Sequence, residues 1–509
     1  MKISLGPLFF ALAATVLLFM LLSPQTGLHI DEGPYIIAGR NAAGWLKELF
    51  SAGPGILQAP AIDNWWSYNH EHPPFGKTIF GLADLLLRPW LGPIVAPRAG
   101  ALLFFLIAQA SIYFLLLPFG RWQATLGALL PAAQPQLFFH ALTVTVDLPA
   151  VSMSLLCLLF FIRGLEKHCY APLCGIAWGL AMASKINGVF LALPLFIWGY
   201  FFKRKQVVDN IFWMIILGPL TVFAVWPWLW HDTLVRVLDY LRFHATHVHE
   251  PVYLWGRVFQ QAPWYYPLLI LAVATPAFIL LGALLSLRLP DQSEARRLSW
   301  LLWGMAAVSI LVVMPPSVPV YNAARLFLLA PAMLAPLAAL GVAQTLSLTI
   351  FKRLGSRGKW FAAMLLLMPG MLGVITSHPY LLSYYNELVG FRAGAVRLGF
   401  DPLPWAQIEP ALVRWLQEKY PQGATIDTNS GSATILKSYQ ALELLPKNFK
   451  FGEDGDLWMI EEILAYSGFE RWWRLRRNED QAYEFLHSFE HGGQRFISIY
   501  RRRTEGTGL

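Results

Sequence analysis

The sequence predicts a polytopic α-helical membrane protein of about eleven transmembrane helices, followed by a small extracytoplasmic domain of α/β or α+β type. Of the 509 residues, 56% are hydrophobic and only 14% are charged, and the mean hydropathy is +0.47. This composition lies far from that of soluble globular proteins. Apolar runs of bilayer-spanning length also recur along the chain and stop near His378. We therefore predict a membrane domain over residues 1–378 and an extracytoplasmic domain over 379–509.

The apolar runs divide the membrane domain into its predicted spans. Short loops between them carry the basic residues, such as Lys203 to Lys205 and Lys352 to Lys359. Cations of this kind mark the cytoplasmic side, so we predict a cytoplasmic N-terminus and an inner (plasma) membrane protein. The same placement explains the net charge of +8 without nucleic acid. The predicted spans are 5–24, 97–119, 123–140, 148–164, 171–185, 188–202, 208–229, 266–287, 298–314, 324–350 and 360–377.

The opposite side of the membrane receives the longer segments 25–96 and 230–265 and the chain after His378. In the first of these, the amphipathic stretches that start at Pro34 and Thr78 predict helices lying along the membrane surface. In the C-terminal domain, EPALVRWLQEKY predicts a helix and QRFISIYRRR predicts a strand.

Acidic residues stand at two places on the predicted outer side. Asp31 and Glu32 follow the first span, and Asp147 lies at the mouth of the fourth. Acids beside a span are costly and indicate function, although each also fits an ordinary helix cap. Because two acidic sites converge on one face of the membrane, a polar site with a general base is a second interpretation.

Histidines and a lysine surround two prolines in the stretch WSYNHEHPPFGK. His70, His72 and Lys77 precede a predicted surface helix. A cation at this position suits an anionic group near the lipid headgroups. The two histidines with Glu71 also have donor atoms that a metal accepts, a weaker interpretation for this spacing.

The second outer segment combines aromatic residues with basic ones, which indicates either an aromatic belt with snorkelling cations or a surface for a lipid phosphate. Two further cations, Lys185 and Arg325, stand at the outer ends of spans and would add to the same positive field. The candidates in the segment itself are Arg242, His244, His247 and His249.

Motifs in a fixed order connect these candidates. After the acidic pair come HPPFGK, VDLP, ASKINGVF, PWLWHD, APWYYP and RLFLLAP. This order resembles glycosyltransferase family 39 of the GT-C superfamily, which includes protein O-mannosyltransferases and lipid A aminoarabinose transferases. The resemblance extends from Asp31 to about Pro331. It implies a GT-C fold and an inverting transfer of a sugar from a polyprenyl-phosphate carrier to a hydroxyl of a lipid, glycan or protein outside the cytoplasm.

The resemblance also implies roles for single residues. Asp31 matches the catalytic acid of the first loop with Glu32 beside it, and Asp147 matches the second acid. Lys77 matches a position associated with the donor phosphate, and Arg242 with His244 matches the cationic second loop. No cofactor is required on this reading, because lysine and arginine replace a metal at a monophosphate. The expected partners are the lipid-linked sugar, membrane lipids and the acceptor.

Two other functions remain open from the sequence. A transporter or flippase of a lipid-linked or anionic substrate would also carry charges and broken helices in its membrane domain. A scaffold or sensor would use the extracytoplasmic domain and would tolerate replacement of Asp31. Protein O-mannosyltransferases usually carry a β-trefoil insertion, for which no loop of this chain is long enough, so a eukaryotic-type role in protein mannosylation is in doubt.

Overall fold

The computed structural model describes residues 5–49, 51, 53–348, 353, 355–453, 455–461 and 483–503. Lys352, the end of the predicted span 324–350 and parts of the predicted C-terminal domain lie outside the described residues. Within them we label the helices α1 to α19: Gly6–Leu22, Glu32–Leu49, Ala59–Trp66, Phe75–Leu116, Arg121–Leu129, Pro135–Leu142, Asp147–Gly164, Ala171–Met182, Ala192–Phe202, Val207–Val225, Thr233–Ala245, Tyr266–Ala274, Ala277–Leu285, Glu294–Leu311, Leu329–Ser347, Gly355–Ser377, Phe391–Arg397, Pro410–Lys419 and Ser430–Ala441.

Among the described residues, five helices are long and apolar enough to cross a membrane. They lie within α4, α7, α10, α15 and α16, and a sixth crossing results if α12 and α13 form one span bent by 107°. Shorter apolar helices cover Gly6–Leu22 and Ile186–Phe202. The chain is thus a multi-pass membrane protein, while the count of about eleven spans stays a prediction.

Proline and glycine divide several predicted spans. The predicted surface helix from Thr78 and the second span join in α4, with a break at Gly92, whose φ of 73° and ψ of 175° are not helical. The third predicted span separates into α5 and α6 around the 3-10 helix Leu130–Ala133, which begins at a proline-containing turn. Prolines remove a backbone donor and crowd the preceding turn, which explains these breaks.

The helices of the first outer segment form a platform beside the bundle. The helix predicted from Pro34 is α2, and it crosses the first part of α4 where Gly39 meets Gly81. A Cβ atom built on Gly81 would lie 1.8 Å from the carbonyl oxygen of Gly39. Only glycine permits this backbone contact, so the crossing point of the two helices is set by these two residues.

The C-terminal part of the chain contains a five-stranded sheet with the order β6-β5-β7-β9-β8. β5 is parallel to β6 and β7, whereas β9 is antiparallel to β7 and β8. The predicted helix of this region is α18, and the predicted strand is β9. The strands β1 to β9 span Leu28–His29, Val252–Leu254, Arg257–Phe259, Gln407–Ile408, Thr425–Asp427, Lys450–Phe451, Leu457–Glu461, Tyr483–His491 and Gln494–Arg502.

A short antiparallel ladder joins the two ends of the fold. β1, just before Asp31, pairs with β4, so that Leu28 lies opposite Ile408. The Leu28 amide also donates to the Tyr439 hydroxyl of α19 at 3.3 Å. The segment before the first predicted catalytic acid is therefore held by the C-terminal part of the chain.

Candidate active site

Four charged side chains from distant parts of the chain meet at one place. Arg325 donates from Nη2 to Asp31 Oδ2 at 2.5 Å and from Nε to Asp147 Oδ2 at 3.2 Å. Lys185 forms an ion pair with the other oxygen of Asp147. Each residue stands at the end of an element: Asp31 precedes α2, Asp147 begins α7, Lys185 follows α8 and Arg325 precedes α15. The four predicted residues thus form one network of two acids and two cations.

Two aromatic residues orient the Arg325 guanidinium. The Tyr35 hydroxyl lies 3.3 Å from Nη2, and the guanidinium carbon lies 4.0 Å from the centre of the Trp405 ring. The same indole packs against the His29 ring at 4.0 Å. A cation over an indole face is attracted by the ring quadrupole, and more strongly where water is excluded. Trp405 lies beyond the last membrane helix, so the C-terminal part of the chain completes this site.

The two acids differ in their access to solvent. The Asp31 side chain is 31% exposed, whereas the Asp147 side chain is 1% exposed. Both Asp147 oxygens are engaged by cations. An incoming molecule can therefore approach the Asp31 carboxylate, while Asp147 holds Lys185 and Arg325 in place.

A largely apolar cavity lies next to the charged network. Asp147, Lys185 and Arg325 line one part of it, and the rest of the wall comes from α7, the 3-10 helix Ile186–Leu191, α14 and the start of α15. Lys185 uses one of its three protons on Asp147. The arrangement suits a molecule with an anionic group on an apolar chain. The apolar wall includes Ala150, Val151, Phe190, Leu191, Val308, Val312, Phe327 and Leu328.

Glu32 has a different place from the one predicted. Its carboxylate is fully buried and accepts from Arg98 at 2.7 Å and 2.9 Å and from the Val144 amide at 2.9 Å. Arg98 also donates to the Ser23 carbonyl at 2.6 Å. Removal of one partner of such a buried pair is strongly destabilising. The pair attaches the first loop to α4, and a part of Glu32 in catalysis beside Asp31 stays a prediction.

Lys77 is also committed to the protein itself. The side chain is buried, and its ammonium group donates to the Asn69 carbonyl at 2.5 Å, the Asn69 side-chain oxygen at 3.0 Å and the His72 carbonyl at 2.8 Å. An ammonium group has three protons, and all three are used. These hydrogen bonds form a clamp that fixes the turn before α4, and the contact of Lys77 with a donor phosphate stays a prediction.

Two histidines face the charged network from the outer loops. His72 is half-buried, packs edge-on against Tyr35 at 5.5 Å and lies 6.4 Å from the His244 ring. Burial, helped by Lys77, lowers the pKa of His72 well below its usual range. Burial, helped by Lys185, lowers the pKa of His244 to about 4. Both shifts favour the neutral form of the ring at neutral pH, and the role of His244 at the donor phosphate stays a prediction.

The remaining candidates lie further out. Arg242 is 77% exposed and contacts Asp239 at 3.4 Å, so the structure does not bring it to the charged network. His70 packs on Trp228 at 4.5 Å. His247 lies 3.0 Å from the Tyr321 hydroxyl, and His249 lies two residues beyond it in the same loop. Over the part of the chain that the structure describes, no three His, Cys, Asp or Glu side chains are grouped as a metal centre requires.

Trp405 and Tyr35 are the residues of the site that sequence reasoning missed. Trp405 is one of 21 tryptophans, and its stretch DPLPWAQIEP carries no pattern that distinguishes it. Tyr35 reads as one more aromatic residue of a surface helix. Only the folded chain shows that both touch Arg325.

Residues 71–230 match the family model described as dolichyl-phosphate-mannose-protein mannosyltransferase. The predicted resemblance to glycosyltransferase family 39 is confirmed. No curated protein sequence matches the chain. Among solved structures, ArnT from Cupriavidus metallidurans bound to undecaprenyl phosphate superposes with a TM-score of 0.51 and 13% identity over 98% of this chain and 98% of that chain. The chain has the GT-C fold.

A second solved structure is more distantly similar. The Archaeoglobus fulgidus oligosaccharyltransferase in its apo form gives a TM-score of 0.49 at 13% identity, over 88% of this chain and 64% of that chain. The segment that matches the family model, residues 71–230, includes Asp147 and Lys185 but neither Asp31 nor Arg325. The charged network thus joins the matched segment to parts of the GT-C fold outside it.

Proposed function

We propose that this chain is a glycosyltransferase that moves a sugar from a polyprenyl-phosphate carrier to a hydroxyl of a lipid, glycan or protein acceptor, with inversion at the anomeric carbon. The observation that carries the proposal is the network of Asp31, Asp147, Lys185 and Arg325 at the mouth of an apolar cavity. The fold is supported by a structure that contains undecaprenyl phosphate, the class of carrier that we propose.

The donor fits the cavity by its chemistry. In this proposal the polyprenyl chain packs against the apolar wall of the cavity, and the phosphate contacts Lys185 and Arg325. Charge develops on the phosphate oxygen as its bond to the sugar breaks, and cations placed there in advance stabilise the transition state. No nucleotide is needed, since the lipid phosphate is the leaving group.

Asp31 is the proposed general base. The acceptor oxygen bonds to the anomeric carbon as the bond between this carbon and the phosphate oxygen breaks, and the acceptor proton passes to the Asp31 carboxylate. The Asp31 side chain is more exposed to solvent than the Asp147 side chain, which favours Asp31 as the base for this step. Asp147 acts through Lys185 and Arg325, whose positions it fixes.

A transporter or flippase is not favoured. The binding sites of secondary transporters lie near the middle of the membrane, where helices are broken. The four charged residues of this chain stand at the ends of helices.

We further propose that this end of the bundle faces away from the cytoplasm, with the N-terminus inside and the C-terminal domain outside, in the inner (plasma) membrane. Metal is not required in this scheme, because Lys185 and Arg325 carry the positive charge.

Replacement of Asp31 with asparagine tests the proposal. Asparagine keeps the shape of the side chain but cannot take a proton, so we expect sugar transfer to fall at least about 100-fold. Envelope lipids, glycans and proteins from a strain lacking this protein are compared by mass spectrometry with those from strains complemented by the native chain or by Asp31→Asn. The sugar-bearing species restored by the native chain should be missing with the variant.

Asp239→Asn is the matched control, because Asp239 is 55% exposed and lies outside the network. It should restore the species as the native chain does. Equal amounts of each protein in the membrane fraction are verified by immunoblot. Full restoration by Asp31→Asn would contradict the proposed base, and identical envelopes in all strains would contradict the glycosyltransferase itself.

A further inference from the structure

A groove lined by several charged residues lies on the platform formed by α2, α3 and the first part of α4. One face of α2 and one face of α4 line it, each with residues spaced three or four apart, and Trp65 of α3 closes its end. Its charged residues are Arg40, Lys47, Glu48, Asp84 and Arg88. This groove shares none of its lining residues with the cavity beside Asp147.

The groove follows from the way the two helices cross. They touch through Gly39 and Gly81, and beyond this contact their side chains separate them. The floor carries small residues, Ala43 and Gly44, and a Cβ atom built on Gly44 would lie 2.7 Å from the Trp65 ring. Small residues leave an open space between the helices, bordered by the longer charged side chains.

The charges in the groove are arranged for an anion. Asp84 is buried and holds two guanidinium groups, accepting from Arg40 Nε at 2.9 Å, from Arg88 Nε at 3.1 Å and from Arg88 Nη2. The Nη2 atom of Arg40 has no hydrogen-bond partner, and Lys47 forms no ion pair among the described residues. Glu48 contacts the Ser51 hydroxyl at 3.3 Å. Three cations thus face two acids, and the exposed Lys47 is a cation whose donors no acid among the described residues takes up.

The groove also lies beside an exposed apolar surface. On the same stretch of α4, Leu85, Leu86 and Trp90 are 50%, 65% and 77% exposed. Exposed leucine with tryptophan is typical of the region where a membrane protein meets the headgroups. Cations at this level attract anionic lipids, and arginine pairs with phosphate through two parallel hydrogen bonds.

We propose that this groove binds the phosphate of an anionic lipid headgroup. Arg88 and Lys47 contact the phosphate from the two sides, Asp84 orients the arginines, and the acyl chains lie along the exposed leucines. Arg40 follows Asp31 by nine residues of α2, which places the groove about 13 Å along the helix from the proposed base. The inference goes beyond the proposed function and does not depend on it.

Lipid binding to the purified full chain in a non-ionic detergent tests the inference. Native mass spectrometry and thermal unfolding are followed while phosphatidylglycerol, phosphatidylcholine or inorganic phosphate is added. We expect phosphatidylglycerol to bind and to raise the unfolding temperature, with little effect of the other two. In Lys47→Gln/Arg88→Gln, loss of the charged hydrogen bonds should weaken phosphatidylglycerol binding at least about 10-fold. Lys47→Gln alone, which breaks no ion pair, should weaken it less.

Arg397→Gln is the matched control, because Arg397 is exposed on α17 and outside the groove. It should bind phosphatidylglycerol as the native chain does. Equal binding of phosphatidylglycerol by the native chain and the double variant would overturn the inference. Equal binding of phosphatidylcholine, or saturation by inorganic phosphate alone, would overturn it as well. Asp31→Asn should lose sugar transfer if the proposed transferase chemistry holds. Its binding of phosphatidylglycerol should nevertheless equal that of the native chain.

Discussion

Replacing Lys77 with methionine separates the clamp that the structure shows from the phosphate contact that the family resemblance implies. The ammonium group donates three hydrogen bonds, two to backbone carbonyls and one to the Asn69 side chain. Methionine keeps the apolar stem and removes the charge and all three donors. The turn that carries His72 before α4 loses its attachment.

The size of the effect follows from the acceptors left behind. Each buried acceptor without a partner costs about 1–3 kcal/mol. Asn69 is only half-buried, so water can replace the lost donor at its side-chain oxygen, and the two carbonyls carry most of the cost. We therefore expect a loss of about 2–6 kcal/mol in the free energy of unfolding.

The assay compares native chain, Lys77→Met and Lys437→Met in the same detergent, since Lys437 is exposed on α19. Thermal unfolding and the KM for the polyprenyl-phosphate donor are measured on each. Lys77→Met should unfold at a clearly lower temperature, and the control should match the native chain. An unchanged unfolding temperature together with a raised donor KM would refute the clamp and restore the phosphate contact.

Two further predictions concern the C-terminal part of the chain. Trp405→Leu should lower the rate of sugar transfer about 30-fold, the equivalent of about 2 kcal/mol for a desolvated cation–aromatic contact on Arg325, and Trp405→Phe should recover part of it in the same assay. Burial raises the pKa of Asp401 to about 7, above its unfolded value of about 4. The folded state therefore holds the proton more tightly, so the contribution of Asp401 to stability is full below about pH 4 and is lost as pH rises toward 7. Thermal unfolding between pH 5 and 8 should show a shallower decline for Asp401→Asn than for the native chain.

The exposed Asp291, whose side chain is 93% accessible, provides the control for the pH series. Asp291→Asn should keep the native pH dependence. A native slope in Asp401→Asn would contradict the role of this carboxyl. For Trp405, equal transfer rates in the leucine and phenylalanine variants would show that the aromatic face does not matter.

The sequence predicts the members of the charged network better than their partners. Asp31, Asp147, Lys185 and Arg325 stand out because charged residues at the ends of apolar segments are rare and costly. The contacts between them depend on how the bundle packs. Glu32 and Lys77 look like good candidates for the same reason, yet each meets a partner in the fold that uses its charge.

The helix boundaries show a similar limit. Apolar length predicts where the chain enters the membrane, but the bend at Gly92 and the break before Pro135 depend on local backbone geometry. The sequence predicts a separate C-terminal domain because the composition of the chain changes after the last predicted span. Its contacts with the first loop through β4 and Trp405 leave no local trace in the sequence.

The pairing of β1 with β4 sets an order for biosynthesis. The ribosome makes Asp31 long before the strand that holds the preceding segment and the ring that covers Arg325, since both follow the membrane helices that the structure describes. A nascent chain still being inserted therefore carries its proposed base without the surroundings that orient it. Chemistry should begin only when translation has passed Ile408 and this later part of the chain has folded against the segment before Asp31.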